Sequence, residues 1–238
     1  MRLVNFRDLG GLPLASGGEF PGGRLYRSGT FDFLTPGEAA ELVSSLGVAT
    51  VIDLRALAER ERSNRSFPAE LDILQIPFLT EIDPEWEHPI DQSSFAVAGR
   101  YLDMLERQGR RALPSIISAI TPDHVPMVIH CSAGKDRTGI VLAILLALAG
   151  VPDEAIAADY ARSGSDLQLL ADDPATAGIY TPDPPNEYDS SPETMRLFLN
   201  GMRQRYGSSE RLVITSNVDV ADLRKARAAL LEPSRFST

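Results

Sequence analysis

Short β-branched apolar runs alternate along the chain with longer segments of helical spacing, and no internal repeat is present. Val48 to Leu54 (VATVIDL) is short and apolar, as in a strand covered on both faces of a parallel sheet. Similar runs predict strands at Leu71 to Phe78 and at Val125 to His130 (VPMVIH). The first helix carries clear boundary signals: Thr35 and Glu38 form a capping box, Pro36 takes the first helical position, and Gly47 marks the stop. Apolar spacing predicts a helix over Phe95 to Gln108, ended by Gly109, and another over Ala112 to Ile120. Ile140 to Ala149 reads as a buried helix, and Asp153 to Arg162 as a further one. Ser191 and Pro192 start a helix that runs to Arg205, and a last helix covers Val220 to Leu231. This order predicts an α/β protein with a central, largely parallel sheet flanked by helices.

Two stretches have no period. Thr80 to Ser94 is acidic and Pro-containing and reads as a surface loop carrying the only tryptophan, Trp86. Gly164 to Ser191, rich in Asp, Pro, Ser and Tyr, is too long for an inert connector and is expected to be a mobile flap or binding loop. No shift of composition divides the chain, so residues 1–238 are expected to form a single domain.

Composition narrows the function classes. With 238 residues, 43% hydrophobic and 24% charged, the chain is neither disordered nor fibrous. A net charge of −10 repels polyanions, which argues against nucleic acid or an anionic membrane as partner. An anion must therefore be captured locally. The single cysteine, Cys131, has no internal disulfide partner, so a reducing, cytoplasmic location is expected. Asp8 interrupts the apolar segment a signal peptide would need, and the longest apolar run, Ile140 to Ala149, is about half the roughly 18 residues of a membrane span. No integral membrane segment is expected.

The chemistry concentrates in His130-Cys131-Ser132-Ala133-Gly134-Lys135-Asp136-Arg137-Thr138-Gly139. A thiol at the C-terminal end of a parallel strand, facing the next helix, lies where α/β folds bind ligands. The helix end offers unpaired N–H groups and a partial positive charge, which favour both a thiolate and a phosphate dianion. The five residues between Cys131 and Arg137 are enough for Ser132, Ala133, Gly134 and Lys135 to wrap an oxyanion, with Gly134 supplying the backbone freedom. Arg137 offers a planar fork to two phosphoryl oxygens, and Thr138 a hydroxyl to the sulfur as it leaves. His130 is placed to orient the loop from behind. These residues suit two-step phosphoryl transfer in which Cys131 attacks phosphorus and water hydrolyses the phosphocysteine. Asp136, inside the loop, is the first candidate for the acid that protonates the leaving oxygen; Glu81 and Asp83 are second candidates. Lys135 adds a charge suited to a substrate with more than one phosphate. Three scattered histidines and one cysteine supply no convincing transition-metal set, so neither metal nor other cofactor is expected.

This loop resembles the signature of Cys-dependent phosphatases, and its Lys135-Asp136 pair resembles the bacterial tyrosine/serine phosphatase family that also acts on phosphoinositides. Asn5 to Gly11 (NFRDLGG), the Arg24 to Ser28 strand, the strand end at Asp53-Leu54-Arg55, and the stretch from Pro192-Glu193-Thr194-Met195 to Leu230-Leu231-Glu232 are similar to that family in order and spacing. The resemblance implies a Cys-dependent phosphatase-like fold with a C-terminal helical lid. It also implies Cys131 as nucleophile, Arg137 as phosphate binder and Asp136 as acid. A phosphorylated protein or a phosphoinositide would be the substrate, and inorganic phosphate or sulfate would fit the loop. Some members carry an aspartate two residues after a Pro-Phe pair; here Pro77-Phe78 leads to Leu79-Thr80, which shifts weight to Asp136.

Other readings are weaker. A nucleotide-binding P-loop would need Ser or Thr in place of Asp136 and Gly in place of Ile129. Rhodanese-like loops are shorter and lack the Arg-Thr-Gly ending. The competing functional class is a catalytically weak phosphate-recognition module built on the same loop. Arg7 with Asp8, and Asp53 with Arg55, read as ion pairs under the site. His88 and His124 read as surface residues, and Tyr180 and Tyr188 as loop tyrosines able to touch substrate.

Overall fold

Residues 4–32, 34–61, 71–81, 91–172 and 190–233 are described by a computed structural model. Asp83, Trp86, His88, Tyr180 and Tyr188 lie outside them. Helix α1 (Pro36–Leu46) starts at its capping box, where the Glu38 amide donates to Thr35 Oγ1 at 3.2 Å and the Thr35 amide donates back to Glu38 Oε2 at 2.9 Å. Gly47 follows with φ +63°, a left-handed stop.

Among the described residues, five strands form one sheet: β1 (Arg7–Asp8), β2 (Leu25–Ser28), β3 (Thr50–Asp53), β4 (Asp72–Gln75) and β5 (Met127–His130), in the order β1-β2-β5-β3-β4. Only β1 runs antiparallel; β2, β5, β3 and β4 are parallel. Alternation along the strands separates two apolar layers. Leu25, Ile52, Met127 and Ile129 join the larger cluster, while Tyr26, Val51 and Val128 join a smaller one with Phe31 and Leu34. The register sets His130 opposite both Ser28 and Asp53, so three strands end at one level. Everything that follows them emerges on the same edge.

The remaining helices are α2 (Leu57–Glu61), α3 (Ser94–Arg107), α4 (Leu113–Ala119), α5 (Asp136–Ala149), α6 (Asp153–Asp172), α7 (Pro192–Tyr206), α8 (Ser209–Thr215) and α9 (Val220–Leu231). Helix α5 is the central one: eleven of its residues are buried, and α4, α6, α8 and α9 lie around it with α3 and α7. The C-terminal helices α7 to α9 are thus part of the layer that covers the sheet. Among the described residues, no helix is long and apolar enough to cross a membrane.

Three expectations need correction. Helix α5 starts at Asp136, four residues before the apolar run, which shortens the loop after β5 to residues 131–135. Helix α6 continues ten residues past Arg162, so 164–172 is helix rather than flap; buried Ser163 and Leu167 hold it in the core. Arg7 does not pair with Asp8. Neighbouring strand residues face opposite sides, and Arg7 turns inward to Asp159 while the Asp8 carboxylate accepts from the amides of Gly10 and Gly23.

Candidate active site

Cys131 directly follows β5, is 2% exposed and belongs to the larger apolar cluster. The loop after it is held from its outer side. The Ser132 carbonyl accepts from the Thr30 amide at 2.7 Å, the Ala133 carbonyl from Asn5 Nδ2 at 3.3 Å, and the Gly134 carbonyl from Asn5 Nδ2 at 3.0 Å and Arg27 Nη2 at 2.5 Å. In a trans peptide the N–H points opposite to the C=O. With three consecutive carbonyls bonded to the segment beneath, the amides of Ala133, Gly134 and Lys135 point to the other side, as an anion-binding nest requires. Gly134 has φ +69°, and a Cβ there would sit 2.3 Å from the Ser28 carbonyl oxygen, so no larger residue fits.

The residues that hold Asn5 and Arg27 form a buried network. Arg7 donates to Asn5 Oδ1 at 2.5 Å and pairs with Asp159 Oδ1 at 2.6 Å and with Asp166 Oδ2 at 3.0 Å. Arg27 takes the second oxygen of Asp159 at 2.7 Å. Both guanidinium groups and the Asp159 carboxylate are almost completely buried, so each charge depends on its partners. Behind the loop, Asp53 and Arg55 pair at 2.9 Å as expected, and Arg55 reaches Thr30 Oγ1 at 3.0 Å. His130 contacts the Cys131 carbonyl oxygen through Nδ1 at 3.0 Å and meets Phe31 edge to face. Its burial, only partly offset by Asp53, lowers its pKa to about 4. Hence Nε2, although 3.6 Å from Asp53 Oδ1, belongs to a neutral ring at pH 7 rather than to an ion pair.

Arg137, one residue into α5, is aimed by a residue that the sequence pattern did not single out. Glu59 on α2 accepts from Arg137 Nη1 at 2.5 Å, from Arg137 Nη2 at 2.8 Å and from Ser132 Oγ at 2.6 Å. Burial works against the Glu59 charge, but the hydrogen bonds and charge of Arg137, with Ser132, hold its pKa down at about 2. Burial also opposes the Arg137 charge, yet the electrostatic influence of Cys131 and the hydrogen bonds and charge of Glu59 raise its pKa above the ordinary arginine value. The only sequence signal for Glu59 was its position shortly after the Asp53-Leu54-Arg55 strand end.

Asp136 opens α5, its side chain 41% accessible. Tyr101 donates to its Oδ1, and Lys135 Nζ lies 4.0 Å from the same oxygen. Thr138 is fully buried and its Oγ1 has no hydrogen-bond partner, so the expected bond to the sulfur is not formed among the described residues. Glu81 is exposed and its carbonyl accepts from Gln108 Nε2. His124 is partly covered, 2.7 Å from the Ala119 carbonyl oxygen.

The thiol, the guanidinium and the turn that joins them lie at the C-terminal edge of a parallel sheet, where α/β proteins bind ligands. The family model described as "Tyrosine phosphatase family" matches residues 1–232, and the chain belongs to that family. It is 30% identical over 195 residues to the triple specificity protein phosphatase PtpB of Mycobacterium tuberculosis, covering 70% of this chain and 68% of PtpB. It is 32% identical over 168 residues to a protein of Cupriavidus necator named as a tyrosine-protein phosphatase, covering 68% of this chain and 60% of that one. Among solved structures, the core catalytic domain of the PP-IP phosphatase SIW14 from S. cerevisiae, in complex with citrate, matches at 18% identity with a TM-score of 0.36, covering 75% of this chain and 92% of that chain. The protein is a protein-tyrosine phosphatase-like hydrolase.

Proposed function

We propose that the protein hydrolyses phosphomonoesters through a phosphocysteine on Cys131, within a single phosphatase domain in the cytoplasm. Phosphotyrosine is the principal substrate, and phosphoserine, phosphothreonine and phosphoinositides are further ones. The observation that carries this reading is the loop between β5 and α5, which sets Cys131 at one end and Arg137 just past the other, with the carbonyls of Ser132, Ala133 and Gly134 all bonded on its outer side. The family match over residues 1–232 supports it, and the triple specificity in the name of PtpB supports the wider substrate range.

The dianion of the substrate sits against the amides of Ala133, Gly134 and Lys135 and the free edge of Arg137. Sulfur forms a bond to phosphorus while the ester P–O bond breaks, and Asp136 gives its proton to the departing oxygen. Water then attacks phosphorus, the Asp136 carboxylate takes the proton of that water, and the S–P bond breaks to release phosphate. Arg137 gains interaction as charge spreads over the equatorial oxygens. No step uses a metal, so a chelator leaves the rate unchanged.

Cys131→Ser tests the proposal. Turnover of an aryl phosphate is expected to disappear while inorganic phosphate still binds, measured by calorimetric titration. Turnover near that of the wild type would overturn covalent catalysis.

A further inference from the structure

Asp136 is held by a tyrosine that lies far from it in the chain, and that tyrosine is held by a second. Tyr101 on α3 is 1% exposed and donates to Asp136 Oδ1. The Tyr160 hydroxyl, on α6, is 2.7 Å from the Tyr101 hydroxyl. Tyr101 has one proton and directs it to Asp136, so Tyr160 must be the donor between the two hydroxyls. The rings are fixed: Tyr101 meets Tyr160 and Phe198 edge to face, with centroids 6.1 Å and 6.2 Å apart. A Cβ at Gly139 would come within 3.2 Å of Tyr160, so the glycine in the first turns of α5 gives this ring its place. Burial and the adjacent Asp136 push the Tyr101 hydroxyl well above its usual pKa, and it stays a donor at neutral pH.

We propose that Tyr101 is a positioning residue for the general acid: it holds Asp136 by Oδ1, so that Oδ2 carries the proton delivered to the leaving oxygen. The proposal rests on the assignment of Asp136 as acid. Both contacts of the carboxyl, with Tyr101 and with Lys135, fall on Oδ1. As the P–O bond breaks, the proton on Oδ2 moves to the leaving oxygen, and the negative charge that appears on the carboxylate is met by the Tyr101 O–H. A buried, pre-aimed donor supplies this without reorganisation.

Tyr101→Phe keeps the ring and removes only the hydroxyl. The readout is kcat/KM, which reports transfer to sulfur, for phenyl phosphate and for an aryl phosphate with an electron-withdrawing leaving group. The loss on phenyl phosphate is expected to be about tenfold, and several times the loss on the activated ester. In the Asp136→Asn background the same change should add nothing. Tyr160→Phe should show the same selectivity at smaller amplitude, which keeps the test available if Tyr101→Phe folds poorly. Equal losses on both esters, or losses that add to those of Asp136→Asn, would overturn the proposal. If Asp136→Asn alone lowers both esters equally, the acid assignment fails. If it discriminates and Tyr101→Phe does not, only the role of the tyrosine fails.

Discussion

A guanidinium on a flexible stem binds phosphate well only if its plane is already turned towards the ligand. Glu59 does this for Arg137, taking one N–H from each terminal nitrogen and also accepting from Ser132. Glu59→Gln is therefore expected to raise the inhibition constant of inorganic phosphate about tenfold, read in a competition assay. The same contact makes stability depend on pH. The folded-state pKa of Glu59 is depressed from 4.5 to about 2, so its contribution is present above 4.5 and is lost as pH falls towards 2. Urea unfolding at about pH 5 and about pH 3 should show a smaller drop for Glu59→Gln than for the wild type. A drop of equal size would mean that the contact contributes nothing to folding.

At the scale of elements, helix α6 connects the loop after β5 to the rest of the fold. Its Asp159 joins Arg7 to Arg27, which in turn hold Asn5 and the Gly134 carbonyl. Asp159→Ala leaves two buried guanidinium groups without their shared carboxylate and should cost about 3–5 kcal/mol in denaturant unfolding. A cost below about 1 kcal/mol would show that the arginines find other partners. The elements also explain what could be read from the chain. The apolar strands, the capped α1, and α9 over Val220–Leu231 follow from period and boundary residues. Helix α2 was not legible because LAERE is one short turn with no buried residue, and Glu59 went unnoticed with it. The end of α6 reads as loop because Gly164, Ser165 and Asp166 are poor helix formers; the Arg7–Asp166 pair and buried Leu167 override that preference. The Cys131 to Gly139 motif was legible because its chemistry is local, whereas Tyr101 reaches Asp136, and Tyr160 reaches Tyr101, only through the packing of α3 and α6 against α5.

The whole molecule carries a net charge of −10, so long-range electrostatics does not bring an anionic substrate to it. What favours the anion is local: Arg137, Lys135 and the first turn of α5 at the common edge of β2, β5 and β3. On the proposed route phosphorus passes through a covalent bond to Cys131. Rapid acid quench during turnover of an aryl phosphate, followed by mass spectrometry of the digested protein, tests it most directly. The account predicts one added phosphoryl group on the peptide containing Cys131, absent in Cys131→Ser. A phosphoryl group on any other residue, or an unmodified Cys131 peptide under conditions where Asp136→Asn slows breakdown of the intermediate, would contradict it.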